Sequence, residues 1–191
     1  MIYLLIASYL IGSISSAVII CKVLGIPDPR TQGSKNPGAT NVLRLGGTKI
    51  AGFVLTFDGL KGATPVIIGH YLEFGLTQLT LITLCAFLGH IFPVFFRFRG
   101  GKGVATYLGG LIAINLLVGL IFSVIWLLVA KVLKTSSLAA LIATALSPFY
   151  FYFITGNMAS TLIIGLISLF IVYTHRGNIK RLIDKEEDVI K

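Results

Sequence analysis

From Val104 to Ala130 the chain is almost uniformly apolar. A helix that is apolar on every side is either buried all round or lies in lipid. This stretch is also too long for a single ordinary crossing, since a ~30 Å hydrocarbon core takes ~20 helical residues. The rest of the chain has the same character. Of the 191 residues, 55% are hydrophobic and 12% charged, against about 25% charged in a soluble domain. The mean hydropathy is +0.92. The expected fold is an all-α integral membrane protein, with residues 1–191 forming a single transmembrane domain.

Five further apolar segments can be read off. They run from Ile2 to about Val23, from near Lys49 to near Tyr71, from about Leu76 to Phe96, from about Ser137 to Ile154 and from about Ala159 to Thr174. Charge decides how the long stretch divides. As one span it would put Lys131 and Lys134 opposite Arg97, Arg99 and Lys102. As two spans, broken near Asn115–Gly119, it puts all these cations on one side, as the positive-inside rule requires. The result is a bundle of seven transmembrane helices, with the N-terminus outside and the C-terminus cytoplasmic. Lys22, Arg30, Lys35, Arg44 and Lys49 then fall inside, as do Arg176, Lys180, Arg181, Lys185 and Lys191, while Glu73 falls outside. The fourth span, Gly103 to about Ala113, is short, and is expected to be tilted or to begin deep in the membrane. The opening MIYLLIASYL lacks a cationic n-region, so it reads as a retained first span. In that span Gly12, Ser13, Ser15 and Ser16 read as a close-packing face. The second is interrupted by Asp58-Gly59-Leu60-Lys61-Gly62. There Asp58 and Lys61 either pair at a broken helix or line a polar cavity.

The excess of 16 Lys+Arg over 7 Asp+Glu would fit nucleic acid in a soluble protein, but the apolar bulk argues against that partner. On a membrane protein it reports topology, or attraction to anionic lipids and anionic substrates. Cys21 and Cys85 provide neither a disulfide framework nor metal spacing. Asp28, Asp58 and Glu73 are the only acids before the tail, so no paired-carboxylate Mg²⁺ site is expected. Neither a G-x-S-x-G elbow nor an H-x-x-x-x-D pair is present. No metal and no cofactor are expected.

Three polar, glycine-containing stretches converge on the inner side in this topology. The first lies in Gly25–Arg44, GIPDPRTQGSKNPGATNVLR, where Pro27, Pro29 and Pro37 with Gly33 and Gly38 exclude a regular helix. Ser34, Asn36, Thr40 and Asn41 supply hydrogen-bonding groups, and Arg30, Lys35 and Arg44 are cations. Glycines here let the backbone approach a ligand, and successive N–H groups form anion-binding nests. The second stretch, RGGKGVAT, sets glycines around Lys102 at a helix start, where free N–H groups and the dipole suit an anion. It is not a Walker A loop, because Gly103 follows Lys102. In the third, His175, Asn178 and Arg181 recur at helical spacing and can share a face. Arg44, Arg99, Lys102 and Arg181 together suit two anionic groups at once. Each stretch alone could be a solvated loop, a basic turn or a lipid-headgroup cluster. His90, about one turn from the inner face, reads as a supporting residue or a satisfied bundle histidine. Phe149–Phe153 reads as an outer aromatic belt.

Taken together, GSKNPGATNVLR, GGKGVAT and HRGNIKRL resemble the signature motifs of the bacterial acyl-phosphate-dependent glycerol-3-phosphate acyltransferases, the PlsY family, over essentially the whole chain. The resemblance implies a multi-pass enzyme of the bacterial cytoplasmic membrane, with its active site facing the cytoplasm. It implies transfer of a fatty acyl group from acyl-phosphate to the 1-hydroxyl of glycerol 3-phosphate, the first acylation of phospholipid synthesis. Arg44, Lys102, His175 and Asn178 would hold glycerol 3-phosphate, with Ser34 close by and Asn36 and Arg181 among the binding groups. Gly38, Thr40, Asn41 and the backbone of Gly100, Gly101 and Gly103 would hold the acyl-phosphate head. His175 and a substrate phosphate oxygen are the two candidate proton acceptors, with the substrate preferred. The competing class, a transporter of an organic phosphate anion, would place polar groups at midplane breaks, and only Asp58–Lys61 fits that pattern.

Overall fold

A computed structural model describes residues 1–189; Lys191, expected on the inner side, lies outside the described residues. The described chain is helical throughout: α1 (Ile2–Gly12), α2 (Ser16–Val23), α3 (Ala39–Tyr71), α4 (Leu76–Ile91), α5 (Val104–Ile114), α6 (Leu116–Leu133), α7 (Ser136–Thr155), α8 (Met158–Thr174) and α9 (Arg176–Ile183), with a 3₁₀ turn at Val94–Phe96.

The first apolar segment is bent by 41° between α1 and α2. A break among apolar helices frees carbonyls that lipid cannot satisfy, and here Lys61 on α3 donates to the carbonyl of Ile14 at 2.8 Å. The small residues before the break allow α1 and α4 to touch. A Cβ on Gly12 would strike the Ala86 backbone, and one on Gly89 would strike the backbone of Tyr9.

Of the two readings of Asp58–Gly62, a broken helix or the lining of a cavity, the break is absent, and Asp58 borders a cavity. α3 runs straight through this stretch and kinks instead at Gly47, where φ is +82°. Gly59 and Gly62 serve helix contact. A Cβ on Gly62 would run into the Thr106 backbone of α5, and one on Gly109 into the Gly59 backbone. The close packing offsets the ~1 kcal/mol that a mid-helix glycine costs. Asp58 and Lys61 pair at 2.8 Å one turn apart on the intact helix. The helix also starts earlier than expected, at Ala39, so Thr40, Asn41 and Arg44 sit on its first turns. Only the part of the proline-rich stretch up to Gly38 is loop.

The long apolar stretch does divide at Asn115, whose side chain accepts from Val118 N at 3.2 Å and caps α6. α5 has only 11 residues, or ~16 Å at 1.5 Å per residue. Beside α3 it runs from Ala105 near Gly59 to Ala113, whose carbonyl meets His70. Its start is therefore level with buried Asp58. Among the described residues, 4 helices are long and apolar enough to cross a membrane, or 6 if each bent pair (α1 with α2, α8 with α9) is one span. Phe53, Leu127, Leu162 and Phe153 point outward, while Phe87, Tyr107, Phe122, Ile164 and Ile171 form the core.

Candidate active site

A cavity of about 760 Å³ opens where α3, α5 and α7 begin and α8 gives way to α9. Its polar wall combines the three polar stretches, which are remote in sequence. Ser34, Asn36, Gly38, Thr40, Asn41 and Arg44 line it from the first, Lys102 and Gly103 from the second, and His175, Asn178 and Arg181 from the third.

The first stretch is folded around Asn41. Its amide donates to the carbonyls of Pro29 at 2.9 Å and Gln32 at 3.0 Å. Its oxygen accepts from Ser34 N at 2.9 Å. Both amide hydrogens are thus committed to holding the loop, and Asn41 presents Ser34 instead of reaching into the cavity with a free donor. Gly33 has φ +58°, and a Cβ there would strike the Asn41 side chain, so this turn requires glycine on both counts. Asp28 and Arg30 close the loop's outer part with an ion pair at 2.7 Å. That guanidinium holds the Asp28 carboxyl below the usual range, against the opposing effect of burial. At the helix start Gly38 is the N-cap, and no side chain caps α3. Thr40 Oγ1 lies 3.4 Å from Ser136 Oγ across the mouth.

The second stretch lies down on the end of α4. Gly101 N–H donates to the His90 carbonyl at 3.2 Å. A Cβ on Gly100 would strike that carbonyl, one on Gly101 the His90 ring, and one on Gly103 the Phe87 ring. Gly100 and Gly101 are therefore packing residues that do not line the cavity, while Gly103, at φ +85°, is the N-cap of α5. No side chain caps α5 either, so two helix N-termini present free N–H groups at one cavity. Lys102 reaches across and donates to Asn178 Oδ1, and Thr174 Oγ1 meets the Lys102 carbonyl at 3.3 Å.

The third stretch is organised by a residue that the motifs did not single out. Glu187 accepts from Ser137 Oγ at 2.7 Å, Asn178 Nδ2 at 2.5 Å and Arg181 Nε at 2.7 Å. Burial would push its carboxyl up, but these three hydrogen bonds and the Arg181 charge hold it below its usual range. Next to it Asp188 pairs with Arg44 at 3.0 Å. The signal for both was an acidic cluster, Glu186–Asp188, in an otherwise basic tail. Glu187 alone of the three turns inward, because Lys185, in a left-handed turn at φ +59°, follows the end of α9 and reverses the chain.

Electrostatically the site is a cation cluster in which Lys102 is the most enclosed and Arg44 and Arg181 are partly exposed, with Glu187 and Asp188 as its counter-ions. Burial lowers the Lys102 ammonium to about 8; Glu187 opposes the shift, and Arg181 and Arg44 add to it. His175 is lowered to about 4 by burial and by Lys102, so it is neutral at physiological pH. Its Nδ1 lies 2.8 Å from the Ile171 carbonyl. A carbonyl can only accept, so Nδ1 carries the proton and Nε2 keeps its lone pair.

Beyond the charges the cavity turns apolar, lined by Leu55, Leu108, Phe122, Trp126 and Ala140, with Asp58 and His90 at its base. Phe122 is held edge-on against Tyr107, ring centroids 5.7 Å apart. One cavity thus offers several phosphate-type contacts beside an apolar arm, which suits an amphipathic anion together with a second, polar one.

Residues 2–185 match the family described as glycerol-3-phosphate acyltransferase. A glycerol-3-phosphate acyltransferase of Ruthia magnifica subsp. Calyptogena magnifica is 60% identical over 99% of this chain and 96% of its own. That of Legionella pneumophila subsp. pneumophila strain Philadelphia 1 is 47% identical over 100% of this chain and 69% of its own. The fold superposes on the crystal structure of PlsY (YgiH), an integral membrane glycerol 3-phosphate acyltransferase in its glycerol 3-phosphate form. The TM-score is 0.94 at 37% identity, over 100% of this chain and 95% of that one. The lysophosphatidic acid form of that protein gives 0.92 at 36% identity. Since the family match covers residues 2–185 and the structural likeness the whole chain, the chain belongs to the glycerol-3-phosphate acyltransferase family, as a multi-pass membrane acyltransferase of phospholipid synthesis.

Proposed function

We propose that the acyl donor is a fatty acyl-phosphate, and that its acyl group passes directly to the 1-hydroxyl of glycerol 3-phosphate, giving lysophosphatidic acid and inorganic phosphate. The supporting observation is the pairing of cations and two uncapped helix N-termini with one apolar arm. Both substrates carry a phosphate, and one also carries a chain that needs an apolar wall. Arg44, Lys102, Asn178 and Arg181 hold the glycerol 3-phosphate, with Ser34 and neutral His175 at its hydroxyls. The α3 start at Gly38 and Thr40, with the α5 start at Gly103, receives the acyl-phosphate head. Asn36 borders this pair of anions, while Asn41, Gly100 and Gly101 shape the backbone around it.

The donor is a mixed anhydride, already activated, so the enzyme supplies positioning and charge stabilisation. The glycerol hydroxyl oxygen attacks the acyl carbon, and the bond from that carbon to the bridging oxygen breaks. Phosphate leaves with the electron pair, and the hydroxyl proton passes to a phosphate oxygen. An imidazole at about 4 is a weak base at neutral pH. Its lone pair orients the hydroxyl, and the substrate phosphate takes the proton. A transporter would place its site at broken helices near the midplane, whereas α3 is intact at Asp58–Lys61.

Residues 1–191 act as one acyltransferase domain in the bacterial inner membrane. The chain crosses seven times with its N-terminus outside, and short α5 starts deep, so the cavity faces the cytoplasm. The test is phosphate release by purified protein given acyl-phosphate and glycerol 3-phosphate in excess chelator. Turnover is expected to persist, and intact-mass measurement after acyl-phosphate alone is expected to find unmodified protein. An acyl adduct, or turnover with acyl thioester but not acyl-phosphate, would overturn this reading.

A further inference from the structure

Below the cavity lies a buried polar chain that the acyl transfer itself does not use. Asp58 accepts from Ser16 Oγ at 2.8 Å and pairs with Lys61 at 2.8 Å. Lys61 also holds the Ile14 carbonyl at the break between α1 and α2. On its other side Asp58 Oδ1 faces His90 Nδ1 at 3.7 Å, beyond hydrogen-bond reach. That nitrogen is buried without a partner. Carboxylate, ammonium and imidazole are all buried at this depth, although ionisable groups inside a membrane bundle are expensive and usually serve function.

What rests on this chain is the turn that carries Lys102. The His90 carbonyl holds the Gly101 N–H at 3.2 Å. The His90 ring fills the space a Gly101 side chain would take. Lys102, the next residue, spans from there to Asn178. We propose that Asp58 and His90 are positioning residues of the acyltransferase: His90 is the floor on which the Arg99–Gly103 turn sits, Asp58 backs the His90 ring at 3.7 Å, and together they place Lys102 against a substrate phosphate. The ring's Nε2 edge packs under Gly101 at the apolar base of the cavity, away from the phosphate-binding wall, so His90 acts through the turn. Serine, lysine and the broken first span tie the same floor to α1 and α2, so the placement is set by three helical segments at once.

The inference rests on Lys102 contacting a substrate phosphate, and a double-mutant cycle separates the two ideas. kcat and KM for glycerol 3-phosphate are measured for the parent, His90→Leu, Lys102→Ala and the double variant, each monodisperse in detergent. Residues acting through one contact are non-additive. His90→Leu is expected to lower kcat/KM at least about tenfold in the parent but less than about threefold once Lys102 is alanine. The same fractional loss in both backgrounds would make His90 a packing residue and overturn the proposal. Parental kinetics in Lys102→Ala would instead overturn the phosphate role of Lys102. If His90→Leu does not fold, His90→Asn takes its place in the cycle, because its amide still faces Asp58 but no ring lies under Gly101. Additive losses with that variant overturn the proposal equally.

Discussion

Lys102 holds a positive charge where burial opposes it, at about 8 instead of 10.5. Its charged form is needed to bind phosphate, so kcat/KM for glycerol 3-phosphate is expected to fall as pH rises through about 8. The stability contribution of this group has the opposite sign. Between about 8 and 10.5 the unfolded chain binds more protons at this lysine, so stability there rises with pH while substrate affinity falls. Lys102→Ala removes a charge-assisted contact of about 1.5–3 kcal/mol. It is expected to raise KM and lower kcat, because the cation sits between the two phosphate positions. It should also abolish the alkaline fall. Lys102→Arg is expected to rescue poorly, since Gly101 lies on His90 and Gly103 on Phe87, leaving little room for a planar guanidinium. Parental kinetics and an unchanged alkaline limb in Lys102→Ala would show the turn to be structural only. His175, at about 4, predicts no acid limb above about pH 5.

At the scale of elements, the contact between α3 and α5 fixes the depth at which the Lys102 turn begins. It depends on glycines whose missing side chains let two backbones meet, the general device for helix packing in lipid. Gly109→Ala would place a methyl against the Gly59 backbone, an overpacking of about 1–3 kcal/mol. A lower thermal midpoint and a matching loss of activity are expected, since any shift of α5 moves Lys102. Gly165→Ala on α8 has nothing within 4 Å of its new methyl. It is expected to be neutral or to gain up to ~1 kcal/mol from helix propensity. Equal midpoints for the two variants would refute the packing account. Asn115 shows the same economy at a helix end: its extended backbone ends α5 and its side chain caps α6.

At the scale of the molecule, the direction in which the chain crosses the membrane turns on α5. If it crosses, Lys134 shares a side with Lys35 and Lys185; if it does not, α6 carries Lys134 to the opposite face. Single cysteines in place of Lys35, Lys134 and Lys185, all exposed, in a background lacking Cys21 and Cys85, are expected to react with an impermeant thiol reagent only from the cytoplasmic side. A cysteine at Glu73 should react only from outside. Outside labelling at position 134 would remove one crossing and split the cations of the cavity between two faces.

The sequence by itself determined membrane class, the break of the long apolar stretch and the three polar stretches of the site, because each is carried by local composition. Apolar length reports burial in lipid, the placement of lysine and arginine reports where the long stretch must divide, and glycine with lysine and asparagine marks anion-binding turns. Tertiary structure alone decided what those residues do. Asn41 is turned onto its own loop, Gly100 and Gly101 onto α4, and Asp58–Gly62 into an intact helix, because each is governed by a partner far away in sequence. Glu187 became the centre of the third wall for the same reason. A carboxylate in a basic tail looks like solvated charge until Ser137, Asn178 and Arg181 converge on it, and only the packing of α7 against α8 and the reversal after α9 bring those three donors to one point.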